Sequence, residues 1–464
     1  MVVPEMNSAS KGFLLTSGGG LEVDKVHVRA DGSYTDKSQK FIQQAKDFTK
    51  QYAHIYAIRL VKTRDALTKR IHEKWGVDIP VKKLIDLNEE DNEQCVIIGT
   101  LFKHQELKPS ILKEISEEHQ LAPQPPRKNF VDEEDQLILE DEQERIRLIG
   151  KLNVHSVVTG VVCAVLGKDT GDGKFEVVDY CWPNVLPRVR EPLSSEDKRF
   201  IVLVSGLGLA NNADALLPLQ LLTDWISGLL GDPEEQRNQA QAVRLIIAGN
   251  SVRDCAPHKV SAITNAFKID VEDTLNATRH LDDFLHQLVS FIDVDVMPGE
   301  HDPANHMLPQ QPLHFCMFPK ANTFETLHCK TNPYECEVAN CRVLGTSGQP
   351  VNDVAAYSKV EDPLTILQQT LEWGHIAPTC PDTLSGFPYY DEDPFIITEC
   401  PDVYFAGNQT AFQTKLYEGP EGQRTRLVCI PSFAKTHSCV VVELNSLDCY
   451  PVSFGAGDFS DSEM

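Results

Sequence analysis

The chain has 464 residues, 41% hydrophobic and 24% charged, a globular composition with room for two or three domains. No apolar run approaches the ~20 residues that span a bilayer, and the opening Met1-Val2-Val3-Pro4-Glu5-Met6 lacks the basic and apolar regions of a secretory leader, so neither a membrane protein nor a secreted one is expected. Asp and Glu number 68 against 43 Lys and Arg, a net charge of −25, which argues against broad binding of a phosphate backbone, because that affinity comes from Lys and Arg displacing counterions.

In chain order, residues 1–36 are Ser/Gly-rich, with Ser17-Gly18-Gly19-Gly20, and read as a disordered tail. Residues 37–80 form a helical segment. Phe41, Ala45, Phe48, Tyr52, Tyr56 and Leu60 fall at steps of three and four and build one stripe, with Gly76 as its C-cap. Such a stripe predicts a face docked on the protein's own body; an open docking site for a partner is the alternative. Residues 81–184 read as β: strands over 95–102, 137–139 and 145–150, then a hairpin of 157–166 with 175–180 around Asp172-Gly173. Short strands with internal glycines suit an OB-type barrel. The acidic blocks at 132–135 and 140–142 read as solvated faces.

Residues 185–198 are a Pro- and charge-rich linker. The pattern of 199–455 is α/β. Its first strand, Phe200-Ile201-Val202-Leu203-Val204, is apolar throughout, the mark of burial on both faces. A helix over 213–230 and strands at 243–248, 294–297, 342–345, 403–406, 426–430 and 439–444 follow, with helices at 271–290 and 363–373. Residues 456–464 are an acidic tail in which Ser460 and Ser462 sit in kinase-friendly context. The 13 cysteines form no C-x-x-C pair, and several lie in apolar runs, as reduced buried thiols do. His328, Cys329, Cys336 and Cys341 are too irregularly spaced for a zinc knuckle.

Two nucleotide-binding look-alikes fail. Gly206-Leu207-Gly208 lacks the third glycine of a dinucleotide loop, and residues 167–174 have the wrong spacing for a P-loop. Four strand ends carry small-residue loops instead: Ser205-Gly206-Leu207-Gly208, Gly249-Asn250, Gly299-Glu300-His301-Asp302 and Gly407-Asn408-Gln409-Thr410. Active sites of open α/β sheets gather at such ends. Their order resembles the calcineurin-like metallophosphoesterases, whose Asp and His residues there hold two metals. Gly206 stands where that family has its first ligands, Asn250 where it has a bridging aspartate, Glu300 where it has asparagine, and Asn408 and Thr410 where it has histidines. Only His301 and Asp302 agree. Glycine offers no ligand and a neutral amide replaces a carboxylate poorly. The expectation is a phosphoesterase fold with no catalytic, cofactor or metal residues, in which His301 and Asp302 structure their loop. The fold class is thus α+β multidomain, an OB-type β-barrel followed by an α/β calcineurin-like phosphoesterase fold.

That combination resembles the regulatory B subunits of replicative DNA polymerases, and within them the small subunits of DNA polymerase delta. The similar segments include residues 51–60, Lys108-Pro109-Ser110-Ile111-Leu112, residues 121–127, 202–209, 294–300, 308–314, 344–349 and Asp393-Pro394-Phe395-Ile396. The resemblance runs from about residue 50 to 455. It implies a non-catalytic nuclear scaffold that binds the C-terminal cysteine-rich module of the catalytic subunit and an accessory clamp-binding subunit. It also implies use with polymerase zeta, contact with DNA only through partners, and no cofactor. Two other classes stay open. One is a residual metal-dependent phosphodiesterase, as in archaeal relatives that keep the ligands. The other is a single-stranded DNA-binding module using the barrel.

Overall fold

In the computed structural model the described residues are 13–14, 27–44, 47–87, 93–109, 127–188, 198–210, 216–255 and 264–455. The resemblance segments at 110–112 and 121–126, most of the expected N-terminal tail and the whole acidic tail at 456–464 lie outside them.

The first elements among the described residues are β1 (Phe13–Leu14), paired to β2 (His27–Val28), and β3 (Tyr34–Asp36). This corrects the expected disorder over 27–36; residues 1–12 and 15–26 lie outside the described residues. β3 joins a sheet 300 residues away, with Cys336 opposite Asp36. The buried Arg29 donates to the carbonyls of Ile226, Gln239 and Ala242. Backbone pairing and one long cation anchor this segment, and neither registers as hydrophobic content. The helical segment also starts later than expected. Ser38–Phe41 is one 3-10 turn and α1 runs over Ala53–Trp75. Phe41 is fully buried, but Phe48 is 57% and Tyr52 42% exposed. The helical period therefore continues across residues 42–44 and 47–52, which are not helical; Ala45 of the expected stripe lies outside the described residues. The buried face of α1 is Ile55, Arg59, Leu60, Leu67 and Ile71, ended by Gly76, whose N–H donates to the His72 carbonyl.

The next six strands are β4 (Val81–Lys82), β5 (Cys95–His104), β6 (Gln136–Glu140), β7 (Arg145–Gly150), β8 (Val162–Asp169) and β9 (Lys174–Cys181). They lie in the order β4-β5-β6-β7-β9-β8, and β8 returns to pair with β5, which closes a barrel. Closure needs strong coiling, and a bulge at Leu166/Gly167 supplies it. A Cβ on Gly167 would lie 2.0 Å from the Glu176 carbonyl oxygen, so only glycine fits. Ile97, Leu101, Leu139, Val165 and Phe175 fill the interior, and α1 covers the outside through Leu60, Leu67 and Ile71 against Val96, Ile98 and Val162.

Of the expected linker at 185–198, the first residues are docked rather than free. Val185 is buried, its carbonyl accepts from the Gln423 amide, and Arg188 pairs with Glu337 and Asp402.

The remaining chain folds as β10 (Phe200–Val204), α2 (Leu216–Ile226), α3 (Pro233–Gln239), β11 (Ala242–Ala248), α4 (Thr264–Leu288), β12 (Asp293–Met297), β13 (Leu327–Cys329), β14 (Tyr334–Val338), β15 (Cys341–Thr346), α5 (Gln349–Tyr357), α6 (Pro363–Glu372), β16 (Val403–Gln409), β17 (Gln413–Glu418), β18 (Arg424–Pro431), α7 (Phe433–Thr436), β19 (Ser438–Glu443) and β20 (Cys449–Ser453). Two six-stranded sheets result, β13-β12-β11-β10-β19-β20 and β17-β18-β16-β15-β14-β3. They pack face to face through Ile201, Leu203 and Ile246 of one and Val343, Phe405 and Val428 of the other. Alternate residues of β10 and β11 pack outward on α2 and α4, which explains why β10 is apolar throughout and β11 is apolar but for Arg244, a buried cation paired with Asp295. On the other side, α5 and α6 separate the second sheet from the barrel. The barrel interior and these helices form one continuous apolar core. No helix among the described residues is long and apolar enough to cross a membrane.

Candidate functional site at the strand ends

The parallel strands β10, β11 and β12 deliver three of the singled-out loops to one edge, and β16 delivers the fourth from the facing sheet. The loops meet. Gly206 N–H donates to the Gly249 carbonyl at 2.9 Å, and Asn408 N–H to the Ser205 hydroxyl at 2.8 Å. The Asn408 amide donates to the carbonyls of Ala248 at 3.2 Å and Ser347 at 2.8 Å and to the Ser347 hydroxyl at 3.1 Å. The Asn250 side-chain oxygen accepts from His301 N–H at 3.1 Å. Asn250 and Asn408 both hold positive φ, 54° and 58°, a conformation asparagine tolerates better than most residues.

Asp302 is buried, and its two oxygens accept from the N–H groups of Val252 at 2.8 Å and Gly299 at 2.9 Å. Burial raises its pKa, and the backbone donors offset part of that rise. His301 is half-buried, whereas Glu300 and Thr410 are exposed. The edge thus unites Gly206, Asn250, Asp302 and Asn408 in one bonded set and leaves Glu300 and Thr410 at the surface.

The donor chemistry does not fit a two-metal centre. Among the described residues no group of three or more His, Cys, Asp or Glu could hold a metal ion. Gly206 has φ 64°, and a Cβ there would lie 2.7 Å from both the Asn408 amide oxygen and the Ser432 hydroxyl. A ligand-bearing side chain would have to force these loops apart. Beneath them lies a neutral network that sequence reasoning missed. The Gln310 amide donates to the Gly299 carbonyl, the Asn332 amide to the oxygens of Gln310 and Gln349, and Ser347 N–H to the Asn332 oxygen. Scattered polar residues in loops carry no period that would reveal it. Elsewhere, His328 pairs with Asp293, burial raises the Cys329 thiol to about 11, and Cys336 and Cys341 are buried in β14 and β15.

A second polar set joins the barrel to the rest. Arg59, 1% exposed on α1, meets Asp393 with its Nε at 2.8 Å. Its other nitrogens donate to the carbonyls of Gly160 in the barrel and of Pro378 and Cys380 beyond α6. His375 takes an N–H from Ala377 at its Nδ1 and so donates from Nε2 to Asp393 at 3.0 Å. Burial, then the Arg59 charge, depresses His375 to about 4, so the ring is neutral near pH 7. Burial alone would raise Asp393, but the Arg59 charge and the His375 bond hold it well below the usual carboxylate range. Lys103 of β5 makes a similar tie, donating to the Tyr357 carbonyl at 2.8 Å beside Asp135; burial lowers it to about 8.

Residues 51–180 match a family model described as the DNA polymerase delta subunit OB-fold domain, and residues 201–414 match one described as the B subunit of DNA polymerase alpha/epsilon. The chain is similar to DNA polymerase delta subunit 2 of Drosophila melanogaster, with 47% identity over 428 residues, 92% of this chain and 98% of the relative. It is 41% identical to the DNA polymerase delta small subunit of Arabidopsis thaliana, over 94% of this chain and 98% of the relative. With the DNA polymerase delta small subunit of Saccharomyces cerevisiae it shares 30% identity, over 92% and 94%.

Proposed function

This chain belongs to the DNA polymerase delta small-subunit family, and from that premise we propose that it is a non-catalytic scaffold in DNA replication and repair. Its second region is then a calcineurin-like phosphoesterase fold whose metal site has been replaced by hydrogen bonds. The observation that carries this reading is the loop edge itself, where Asn250, Asn408 and Ser347 cross-link the loops with neutral groups. What the scaffold joins, on this reading, is the C-terminal cysteine-rich module of the catalytic subunit and an accessory clamp-binding subunit, with polymerase zeta as a further user. DNA is reached through those partners, as the −25 net charge favours. The site of action is the nucleus.

Two measurements test it. Co-expression with a polymerase delta catalytic subunit should yield a one-to-one complex that is lost when the cysteine-rich module is deleted. The purified chain should show no phosphodiester turnover with manganese or magnesium. Turnover that survives repurification and disappears in His301→Ala overturns the non-catalytic reading.

A further inference from the structure

β20 is an outer strand of the first sheet. Its Tyr450 and Val452 point to one side, where with Phe200, Val202 and Trp225 they floor an open groove of about 280 Å³. Its rim carries Asp232, Glu234 and Glu235, all at the start of α3. The rim is held in place: Asp232 caps α3 by accepting from the N–H groups of Glu234 and Glu235, and Glu235 accepts from the Trp225 indole at 2.9 Å. Glu234 is exposed, and Tyr450 is 43% exposed on the groove's outer wall.

An apolar floor beneath a carboxylate rim suits a long cationic side chain. The methylenes of an arginine or lysine can lie along Tyr450 and Val452 while the head group meets the acids. Pro451 has no N–H to offer, so the edge of β20 is a poor template for strand addition, and insertion of a side chain is favoured instead. The chain leaves the sheet beside this groove, where Phe454 meets Trp225 with ring centroids 5.9 Å apart. The sequence after Gly455 carries Asp458, Asp461 and Glu463. Like charge argues against that tail as the occupant and adds to the attraction for a basic one.

We infer that the groove between α3 and β20 docks a basic segment of a partner protein, an arginine or lysine flanked by apolar residues. Neither the strand-end loops nor the Arg59 junction takes part in this surface.

The test uses the full chain and a fluorescently labelled peptide that alternates arginine and leucine, with glutamate-for-arginine and serine-for-leucine versions as comparisons. The arginine–leucine peptide should bind saturably by fluorescence polarisation, and both comparisons should fail. Glu234→Lys should weaken binding by about tenfold or more, and Tyr450→Ser by about fivefold. Glu144→Lys, an equal charge reversal on the exposed barrel hairpin, should leave it unchanged. If Tyr450→Ser fails to fold, protection of the 449–453 amides from hydrogen exchange by the peptide replaces it. Equal weakening by Glu144→Lys would reveal diffuse attraction to an acidic chain and overturn the inference. So would absence of saturable binding, higher affinity after deletion of 456–464, which would make the tail the occupant, or a dimer that Glu234→Lys dissolves.

Discussion

The strand-end loops and the barrel junction solve one problem with opposite chemistry. Each must hold together segments far apart in sequence. At the loop edge the ties are mostly neutral amides, with Asp302 the one carboxylate in the set and its oxygens bonded to backbone N–H groups. At the junction the tie is an ion pair with almost no access to water, extended by a neutral histidine and three carbonyls. Neutral hydrogen bonds are individually worth about 0.5–1.5 kcal/mol net and fail one at a time. A buried ion pair is of little net worth against an apolar substitute, yet removal of one partner strands the other without solvation. The loop edge should therefore degrade gradually under substitution, and the junction abruptly.

The largest test of that contrast is Arg59→Ala. It leaves Asp393 charged and buried, and should lower unfolding stability by about 3–5 kcal/mol, measured by urea denaturation. If Arg59→Met with Asp393→Asn costs as much as the single change, the ion pair is not the reason. Next comes Asn408→Ala, which leaves the Ser347 and Ala248 carbonyls without that amide. A loss of about 1–3 kcal/mol is expected, with the barrel undisturbed by hydrogen exchange; a loss as great as that of Arg59→Ala would erase the distinction between the two regions.

Acid should separate them as well. His375 has its pKa depressed to about 4 against ~6.5 in an unfolded chain. Between these values the unfolded chain binds more protons, so stability falls as pH falls from 6.5 towards 4. From pH 7 to pH 5 the loss from this group is on the order of 2 kcal/mol. His375→Gln should flatten that slope, whereas Asn408→Ala should leave it intact. The smallest effect is expected from Tyr52→Ala. The exposed ring gives up little more than its hydroxyl bond to the Gly386 carbonyl, so about 1 kcal/mol or less should be lost. A loss near 3 kcal/mol would restore Tyr52 to the core.

These outcomes bear on what the sequence could show. β10 was legible because burial on both faces demands an unbroken apolar run, β11 because only Arg244 interrupts one, and the α1 C-terminus because Gly76 holds φ 86°. The barrel strands were legible from their length and turn residues. Arg59 was not, since a charged residue on an apolar stripe reads as surface until its four partners are known. β3 was not, because strand pairing through backbone groups leaves little trace in composition. At the loop edge, Gly206, Asn250, Asn408 and Thr410 could be singled out because small-residue loops follow strand ends. How the loops are tied to one another could not. The Ser347 and Gln310 contributions come from loops that the resemblance does not mark as ligands.

β3 also sets a timetable. Its partner, β14, lies 300 residues further along the chain, so Tyr34–Asp36 cannot pair until Tyr334–Val338 has left the ribosome. At ~5–20 residues per second that interval is roughly 15–60 s. Within it every strand of the barrel, which ends at Cys181, is already synthesised. β3 is therefore made early and paired late, and a chain that lacks residues 34–36 would reach its final step with β14 left as a bare sheet edge, open to other chains.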